Sequence, residues 1–425
     1  MRWTIRSGSS PPAVNPGPIG VRGLLILLVA ATALATAGWL YVRGGSFALD
    51  RITSPEVRIH SDFDSFWESA VAMANGTDIY RTAATYPNLN PPLLTFLLAP
   101  LGLLGFLPAY RLFVLVTVAL VVASMAAVAS ELRLRGGAPL AATVAVLLSS
   151  PVLGTLGLGQ IYGLLTAGLA GSWIAGRRGH PSLEGVALGL TIAIKPSLAP
   201  VLLLPALRRR WPTLRSAVVT GVVGTAAGVA AAGPASFGEW LRLVLGKPLE
   251  TYFDNASLPA TVVRLTSVND WGRPLVEVPG GRVVGLLVAA ALLLGTAWWV
   301  RRPTADGAPD PALWALAAAA LLASPLTWHN YLMMLMPGVL VLLARGRWPA
   351  ATLLLSLSLI GMEWPPLWYG ADGTASALPL SLYCGILLTY WAALLSAAGP
   401  DRAGAGVPPD GSDAGPRAGA SATAG

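Results

Sequence analysis

The sequence contains few charged residues. Only 11% of its 425 residues are charged, against 54% that are hydrophobic, and the mean hydropathy is +0.64. A soluble globular domain carries about 25% charged residues, which keep its surface in contact with water. We therefore exclude a soluble fold and expect an all-α, polytopic membrane protein.

Cysteine and histidine are also scarce. Cys384 is the only cysteine and lies in an apolar run, so no intrachain disulfide can form. The three histidines, His60, His180 and His329, are too far apart in sequence for the spacings typical of a transition-metal site. We predict neither a metal centre nor an organic cofactor, and leave open only a hydrated Mg²⁺ at the carboxylates.

The sequence lacks a continuous basic patch. Its formal charge is +8 and its pI is about 10, but the arginines cluster at the ends of apolar runs, as at 208–210 and 301–302. This placement is typical of arginines that orient membrane helices, and it argues against a nucleic-acid partner.

Long apolar runs are abundant. Because about 20 apolar residues cross a bilayer, the sequence predicts about twelve transmembrane helices within residues 21–397. The predicted spans are 21–42, 91–107, 111–130, 138–156, 160–176, 183–206, 214–233, 282–300, 311–326, 328–344, 348–362 and 376–397. The first run is too long for a signal-peptide core and no clear A-x-A cleavage site follows it, so we expect a retained helix.

The basic residues also predict the orientation of these spans. A cytoplasmic N-terminal segment, 1–20, and twelve crossings place the long loops 43–90 and 234–281 on the outer side. The C-terminal tail, 398–425, then returns to the cytoplasm, and its composition predicts disorder.

Two basic turns contradict this count. Arg133 with Arg135, and Arg177 with Arg178, fall on the outer side, where arginines are disfavoured. We infer that one of the segments within 91–206 is re-entrant or does not span.

The outer loops hold most of the acidic residues. In residues 61–86, apolar side chains recur at helical spacing with Asp and Glu between them, which predicts a short amphipathic helix in the membrane interface. Asp62 and Asp64 lie at its start. Either Ser61 or Asp62 caps the helix, or one of the two aspartates is a general base that takes a proton from a hydroxyl.

Lys195 lies in the middle of an apolar stretch, directly before Pro196. A cation at that depth is costly unless it faces a cavity or a partner, and the proline predicts a break in the helix there. Lys195 is therefore a candidate ligand for an anionic phosphate, or else a snorkelling lysine or half of a structural ion pair. His329, at a predicted outer helix end, and Arg264 are further candidates, with an interfacial anchor and a loop charge as the alternatives.

Gly159 and Gln160 follow the glycine-rich stretch that begins at Gly154. The stretch lacks the Lys-Ser/Thr ending of a nucleotide-binding P-loop. It predicts close helix packing or a bent helix entry instead.

Several short stretches, in one order along the chain, resemble glycosyltransferase family 87. They are Asp62-Phe-Asp-Ser-Phe-Trp-Glu, Ala-Asn-Gly76-Thr-Asp-Ile-Tyr80, Asn90-Pro91-Pro92-Leu-Leu, Gly159-Gln160-Ile-Tyr, Glu184-Gly-Val-Ala-Leu-Gly-Leu, Ile194-Lys195-Pro196, Asn255-Ala-Ser257-Leu with Arg264, and Ser324-Pro-Leu-Thr-Trp328-His329. The resemblance covers most of residues 55–345. It departs from the family at Ala256, where glutamine is frequent.

The resemblance implies a membrane glycosyltransferase of the multi-span GT-C architecture, dependent on polyprenyl-phosphate mannose. Such an enzyme transfers a hexose, with inversion, to a hydroxyl of a cell-envelope glycolipid or glycan on the outer side of the cell membrane. The implied partners are the lipid-linked donor, this acceptor and membrane lipids. The implied site comprises Asp62 or Asp64 as the base, Lys195, His329 and Arg264 at the donor phosphate, and Gln160, Asn255, Ser257 and Trp328 at the substrates.

Two alternatives remain beside this reading. The donor sugar could be another lipid-linked sugar, such as arabinofuranose or glucose. A non-enzymatic lipid or solute transporter could use Lys195 as an intramembrane charge, but the sequence shows no inverted repeats, which that reading predicts.

Overall fold

The computed structural model describes a helical protein. The described residues are 21–44, 51–56, 59–271, 274–304, 308–361 and 379–398. The predicted N-terminal segment 1–20 lies outside them, as does the predicted tail from residue 399 onward. In the described part the all-α prediction is confirmed, since β structure is limited to isolated bridges such as the one between Asn255 and Trp328.

The main α-helices often begin with proline in their first turn, as at Pro92, Pro151, Pro181 and Pro212. Proline is suited to this position because a first-turn N–H has no helical partner. The helices are α1 (Val21–Gly44), α2 (Ser61–Ala74), α3 (Pro92–Leu98), α4 (Phe106–Glu131), α5 (Gly137–Leu147), α6 (Ser150–Leu158), α7 (Tyr162–Arg177), α8 (Pro181–Ile194), α9 (Leu203–Leu207), α10 (Trp211–Ala232), α11 (Ala235–Gly246), α12 (Leu258–Thr266), α13 (Gly281–Val300), α14 (Ala312–Ala323), α15 (Met336–Ala344), α16 (Trp348–Ser358) and α17 (Leu382–Ala397). Connecting 3₁₀ helices cover Ala99–Leu103, Pro196–Leu202, His329–Leu335 and Pro379–Ser381.

Several helices are long and apolar enough to cross a bilayer. Within the described residues these are α4, α10, α13 and the segment Pro379–Ala397, and α5 with α6 meets the same test as one span bent by 46°. On α10, Val219 and Val222 are 60% and 63% exposed, as expected for side chains that face lipid. The multi-pass membrane prediction is confirmed, whereas the number of about twelve spans stays a prediction.

The predicted span 183–206 is a hairpin. The chain breaks at Lys195, between α8 and the 3₁₀ helix that begins at Pro196. Arg210 donates to Glu184 Oε1 at 2.8 Å, so both ends of the segment lie together. A straight helix would separate these two residues by about 39 Å. The expected crossing at this segment is therefore corrected to a re-entrant pair of short helices.

This hairpin resolves the two misplaced basic turns. Arg178 Nε donates to Glu131 Oε2 at 2.8 Å, which joins the turn after α7 to the end of α4. Arg208 donates to the carbonyl of Val300 at 2.7 Å, which joins α9 to the end of α13. The cluster around 131–135, 177–178, 208–210 and 301–302 is called the basic face from here on, and arginines belong together on one side of a membrane.

Two glycines hold the hairpin against α10. A Cβ at Gly185 would collide with the carbonyl oxygen of Thr213, and one at Gly189 with that of Ala217. Small residues four apart let two membrane helices approach to backbone contact. The packing of α8 on α10 therefore fixes the position of α8, and Lys195 follows its last residue, Ile194.

The short helix predicted within residues 61–86 is confirmed as α2, whereas its place in the membrane interface stays a prediction. It packs on α3 and on the following 3₁₀ helix, with Phe63 and Phe66 buried. The predicted span 91–107 is only a seven-residue helix continued by a 3₁₀ helix that ends at Leu103. The centre of the core is α14, which is buried on all sides from Ala312 to Leu322.

Candidate active site

The start of α2 is fixed by its neighbours. His60, at the N-cap, is fully buried, and its Nδ1 donates to the carbonyl of Gly157 at 2.9 Å. Its ring stacks on Tyr110 with ring centroids 3.8 Å apart, and Phe63 packs against the same tyrosine. The N-cap side chain makes no cap hydrogen bond. The first turn of α2, with Asp62, is therefore held by packing against α4 and α6.

Gly159 brings Gln160 to Asp62. Gly159 ends α6 with φ +73, and a Cβ there would collide with the side chain of Phe63. Only glycine meets both demands, because L residues with a Cβ are disfavoured at positive φ. The next side chain, Gln160, is buried and hydrogen-bonds the Asp62 carboxyl. The close packing predicted from these glycines is confirmed, and it positions a polar partner for Asp62.

The environment of Asp62 suits a general base. Burial raises the pKa of its carboxyl from 3.8 to about 6, and the negative charge of Asp254 acts in the same direction. The Gln160 hydrogen bond and the positive charges of Lys195 and Lys247 oppose that rise. A carboxylate with a pKa near neutrality is ionised at physiological pH and still accepts a proton readily.

Lys195 occupies the tip of the hairpin. Its backbone has φ −134 and ψ 84, outside the helical region, so the break predicted at Pro196 is confirmed. The ammonium Nζ lies 4.9 Å from the centroid of the buried Tyr331 ring. A partly buried cation thus faces an aromatic ring and acts electrostatically on Asp62.

Asp64 has a different environment from Asp62. Its Oδ2 accepts a hydrogen bond from the backbone N–H of Thr85 at 3.2 Å. This bond holds the loop after α2 near the helix. The two carboxylates of the Asp62-Phe63-Asp64 stretch therefore serve different neighbours.

His329 pairs with Asp254. His329 Nδ1 lies 2.6 Å from Asp254 Oδ1, and the backbone N–H of His329 donates to the Asp254 carbonyl at 3.1 Å. On the other side of the ring, Ser150 Oγ is 3.3 Å from Nε2. His329 is 1% exposed and so is no interfacial anchor. Because the Asp254 charge raises the pKa of Asp62, this pair lies within electrostatic range of the Asp62 carboxyl.

Asn255 joins two distant loops. Its Nδ2 donates to the carbonyls of Glu250 at 2.8 Å and Pro325 at 3.0 Å. Its Oδ1 accepts from the backbone N–H groups of Thr327 at 2.9 Å and Ser257 at 3.1 Å. All four hydrogen-bonding positions of the amide are thus occupied by the protein. The structure places Asn255 behind the site, where it aligns Asp254 with His329.

Ser257 and Arg264 support the same loop. Ser257 is the N-cap of α12 and accepts from the N–H of Ala260. Arg264 is 1% exposed and donates to the carbonyls of Tyr252 at 2.9 Å and Asn255 at 3.0 Å. Burial lowers the pKa of its guanidinium to about 10, so it stays charged at neutral pH. Its predicted contact with a donor phosphate stays a prediction.

Trp328 lies beside this loop and is half-buried. Its ring centroid is 6.4 Å from that of Tyr252, and its backbone forms the bridge to Asn255. The substrate-binding roles predicted for Trp328, Gln160, Asn255 and Ser257 stay predictions.

Comparison with known proteins shows which family the chain belongs to. The sequence profile of Glycosyltransferase family 87 matches residues 88–325. An alpha-(1->3)-arabinofuranosyltransferase of Mycobacterium tuberculosis (strain CDC 1551 / Oshkosh) is 30% identical over 340 residues, which are 75% of each chain. The chain belongs to glycosyltransferase family 87. This family 87 protein is accordingly a membrane glycosyltransferase, and the transporter alternative is dropped.

Two further proteins are similar to the family 87 chain. A polyprenol-phosphate-mannose-dependent alpha-(1-2)-phosphatidylinositol mannoside mannosyltransferase of Mycobacterium tuberculosis (strain ATCC 25618 / H37Rv) is 27% identical over 369 residues, 81% of this chain and 82% of that one. The crystal structure of ArnT from Cupriavidus metallidurans, bound to undecaprenyl phosphate, is 16% identical with a TM-score of 0.37, covering 89% of this chain and 78% of that one.

Sequence reasoning assigned no role to Asp254 or Tyr331. Both lie beside residues that it did single out, Asp254 before Asn255 and Tyr331 two residues after His329. Adjacency was the available signal, since 75 residues separate Asp254 from His329. Within the described part of this family 87 enzyme, no three His, Cys or carboxylate side chains converge as metal ligands.

Proposed function

We propose that this family 87 enzyme transfers a sugar from a polyprenyl-phosphate donor to an acceptor hydroxyl, with Asp62 as the general base. The observation that supports this most is the Asp62 carboxyl itself. Its pKa is raised to about 6, Gln160 orients it, and the cation Lys195 lies within electrostatic range. The Asp64 carboxylate has a different environment, since it accepts a hydrogen bond from the backbone N–H of Thr85.

The proposed step is a single displacement. The acceptor oxygen attacks the anomeric carbon of the donor sugar and passes its proton to Asp62. The bond from that carbon to the phosphate oxygen breaks, and polyprenyl phosphate leaves with the bonding electrons. One base and direct attack invert the anomeric configuration, as in inverting glycosidases.

The leaving phosphate gains negative charge as that bond breaks. Lys195 and His329 are the cation and the hydrogen-bond donor that we assign to it. The Lys195 ammonium lies over the ring of Tyr331, which belongs to the same 3₁₀ helix as His329. Groups that bind the departing charge more strongly than the ground state lower the barrier, and losing one such contact costs about 3 kcal/mol.

The donor sugar has two candidates. The motif resemblance favours mannose. Arabinofuranose is favoured by a separate observation, because identity to the arabinofuranosyltransferase is 30% and identity to the mannosyltransferase is 27%. The acceptor we propose is a hydroxyl of a cell-envelope glycolipid or glycan.

The reaction face that we propose is the outer one. Arg208 to Arg210 precede α10, and Ala232 at its other end leads to α11 and Lys247, which acts on Asp62. The 22 residues of α10 span about 33 Å, so the site lies at the far side from the basic face. Arginine clusters mark the cytoplasmic side.

A donor assay with two matched variants tests the proposal. Membranes that contain the full chain are incubated with labelled polyprenyl-phosphate mannose and, separately, polyprenyl-phosphate arabinofuranose. We expect transfer from one donor, a 10²- to 10⁴-fold loss in Asp62→Asn, and little change in Asp64→Asn. Equal rates for Asp62→Asn and the unmodified enzyme would refute the assignment of the base.

A further inference from the structure

The basic face carries a cavity that the transfer reaction does not use. Its volume is about 450 Å³, within the roughly 300–1,000 Å³ typical of ligand sites. It is lined by Leu207, Arg208, Arg209, Arg210, Arg301 and Pro303. The described lining residues include four arginines and no carboxylate, a composition that favours an anion as ligand.

Two of the four arginines already have acidic partners. Arg208 Nη1 donates to Asp310 Oδ2 at 2.6 Å, and Arg210 Nη1 donates to Glu184 Oε1 at 2.8 Å. The charges of Arg208 and Arg210 are therefore neutralised, and both side chains are held in place at one side of the cavity.

The other two arginines form no ion pair within the described residues. Arg209 is exposed, and its backbone has φ 54, in the left-handed region. Arg301 is half-buried, and its guanidinium carbon lies 3.3 Å from the centroid of the Trp298 ring. Neither arginine has a carboxylate partner among the described residues. Arg209 and Arg301 thus supply two positive charges to the cavity.

The residues around the cavity favour a lipid headgroup over a soluble anion. Trp298 and Trp299, at the end of α13, are 63% and 53% exposed, and Trp211, at the start of α10, is 53% exposed. Exposed tryptophans at the ends of membrane helices lie at the level of the lipid headgroups. The cavity therefore opens to the bilayer interface rather than only to bulk water.

We propose that this cavity binds the headgroup of an anionic phospholipid. Arg209 and Arg301 pair with the lipid phosphate, because a guanidinium matches the geometry of phosphate oxygens. The acyl chains lie along the exposed apolar surfaces of α10 and α13, where Val222 and Leu294 are each 63% exposed. Basic pockets between membrane helices bind anionic headgroups in this manner.

Native mass spectrometry of the full-length chain in detergent tests the proposal. The probes are dioctanoyl phosphatidylglycerol, dioctanoyl phosphatidylcholine and glycerol 3-phosphate. The test variant is Arg209→Asn with Arg301→Gln, since asparagine tolerates positive φ. The charge-matched control is Arg81→Gln with Arg242→Gln, whose side chains are 72% and 71% exposed.

We expect phosphatidylglycerol to bind more tightly than phosphatidylcholine, the test variant to lose about tenfold or more in that affinity, and the control to keep it. Equal binding of the two lipids, or an equal loss in the control, overturns the proposal. If glycerol 3-phosphate binds as tightly as phosphatidylglycerol, the ligand is a soluble phosphate and the proposal of a phospholipid ligand is overturned. Thermal unfolding checks the fold, and the two single variants replace the double variant if it is unstable.

Discussion

At Asp62, burial and neighbouring charges act in opposite directions on one carboxyl. Loss of water raises its pKa, while Gln160 and Lys195 limit the rise, and the result is a value of about 6. A buried carboxyl without such partners would stay protonated and could not act as a base. Lys195 therefore has two roles in the proposed reaction, since it keeps Asp62 ionised and receives the departing phosphate.

The pH dependence of transfer follows from this balance. The base acts when deprotonated, and Asp62 takes up a proton as the pH falls through about 6. We expect kcat/KM to fall about tenfold per pH unit below that value. In Lys195→Gln the acid limb should move to higher pH, because a charge that lowers the Asp62 pKa is lost. Lys195→Arg keeps the charge and serves as the control. If the acid limb of the pH profile does not move in Lys195→Gln, the charge of Lys195 does not control the pKa of Asp62.

Asp62 also predicts a pH dependence of stability. Its pKa is raised on folding from 3.8 to about 6, so its ionised form is disfavoured in the folded state. The folded protein loses stability at this site as the pH rises through that window. Asp62→Asn should therefore unfold at a higher temperature than the unmodified chain at pH 8, with the difference vanishing below about pH 4. Asp64→Asn, measured in parallel by thermal unfolding in detergent, should not show this gain.

At the scale of the elements, the end of α6 positions the residue that hydrogen-bonds Asp62. Gly159 has φ +73 and lies against Phe63, and it sets the position of Gln160. Gly159→Ala should cost about 2–4 kcal/mol, since it combines a left-handed backbone with a steric clash. Activity should fall further than stability, because Gln160 moves away from Asp62.

Gly171→Ala is the matched control for that substitution. A Cβ at Gly171, on α7, meets no atom within 4 Å. Thermal unfolding and transfer rates of the two variants should differ clearly. Similar behaviour would show that the contact between α6 and α2 does not position the site.

Sequence patterns predicted parts of this arrangement and missed others for identifiable reasons. Asp62 was singled out by its place at the start of an amphipathic helix and by the family resemblance, and Lys195 because a charge in apolar surroundings is costly. The break at Pro196 was predicted because proline interrupts a helix. Apolar length does not reveal where a chain turns back, so the span 183–206 was wrong. The bonds of Asn255 could not be read from its motif, because their carbonyl partners belong to remote loops.

At the scale of the described molecule, the arginine turns of the basic face and the charges of the candidate site lie at two different ends. The arginine turns lie together at one end of α10 and α13, whereas Asp62, Asp254 and Lys247 lie toward the other end. The candidate site and the basic face are thus separated by the length of one membrane helix. The same division keeps the cavity at the basic face apart from the candidate site.

Cysteine labelling tests this division. Cys384 is the only cysteine and is 2% exposed, so Cys384→Ala gives a cysteine-free background. Into it we would introduce Arg209→Cys or Lys247→Cys, both at exposed positions. A membrane-impermeant maleimide should label position 247 on intact cells and position 209 only after permeabilisation. Labelling of position 209 on intact cells would reverse the proposed orientation.

The hairpin that ends at Lys195 has a consequence for chain length. Its base is anchored at the basic face by Glu184 and Arg210, and its tip is reached through the 14 residues of α8, about 21 Å. The number of residues in α8 therefore determines how deep in the bilayer the lysine lies. Deleting one turn of α8 would withdraw the ammonium by about 5.4 Å while leaving every residue of the site chemically unchanged. In family members with longer or shorter α8 helices, the depth of the corresponding lysine should vary in proportion.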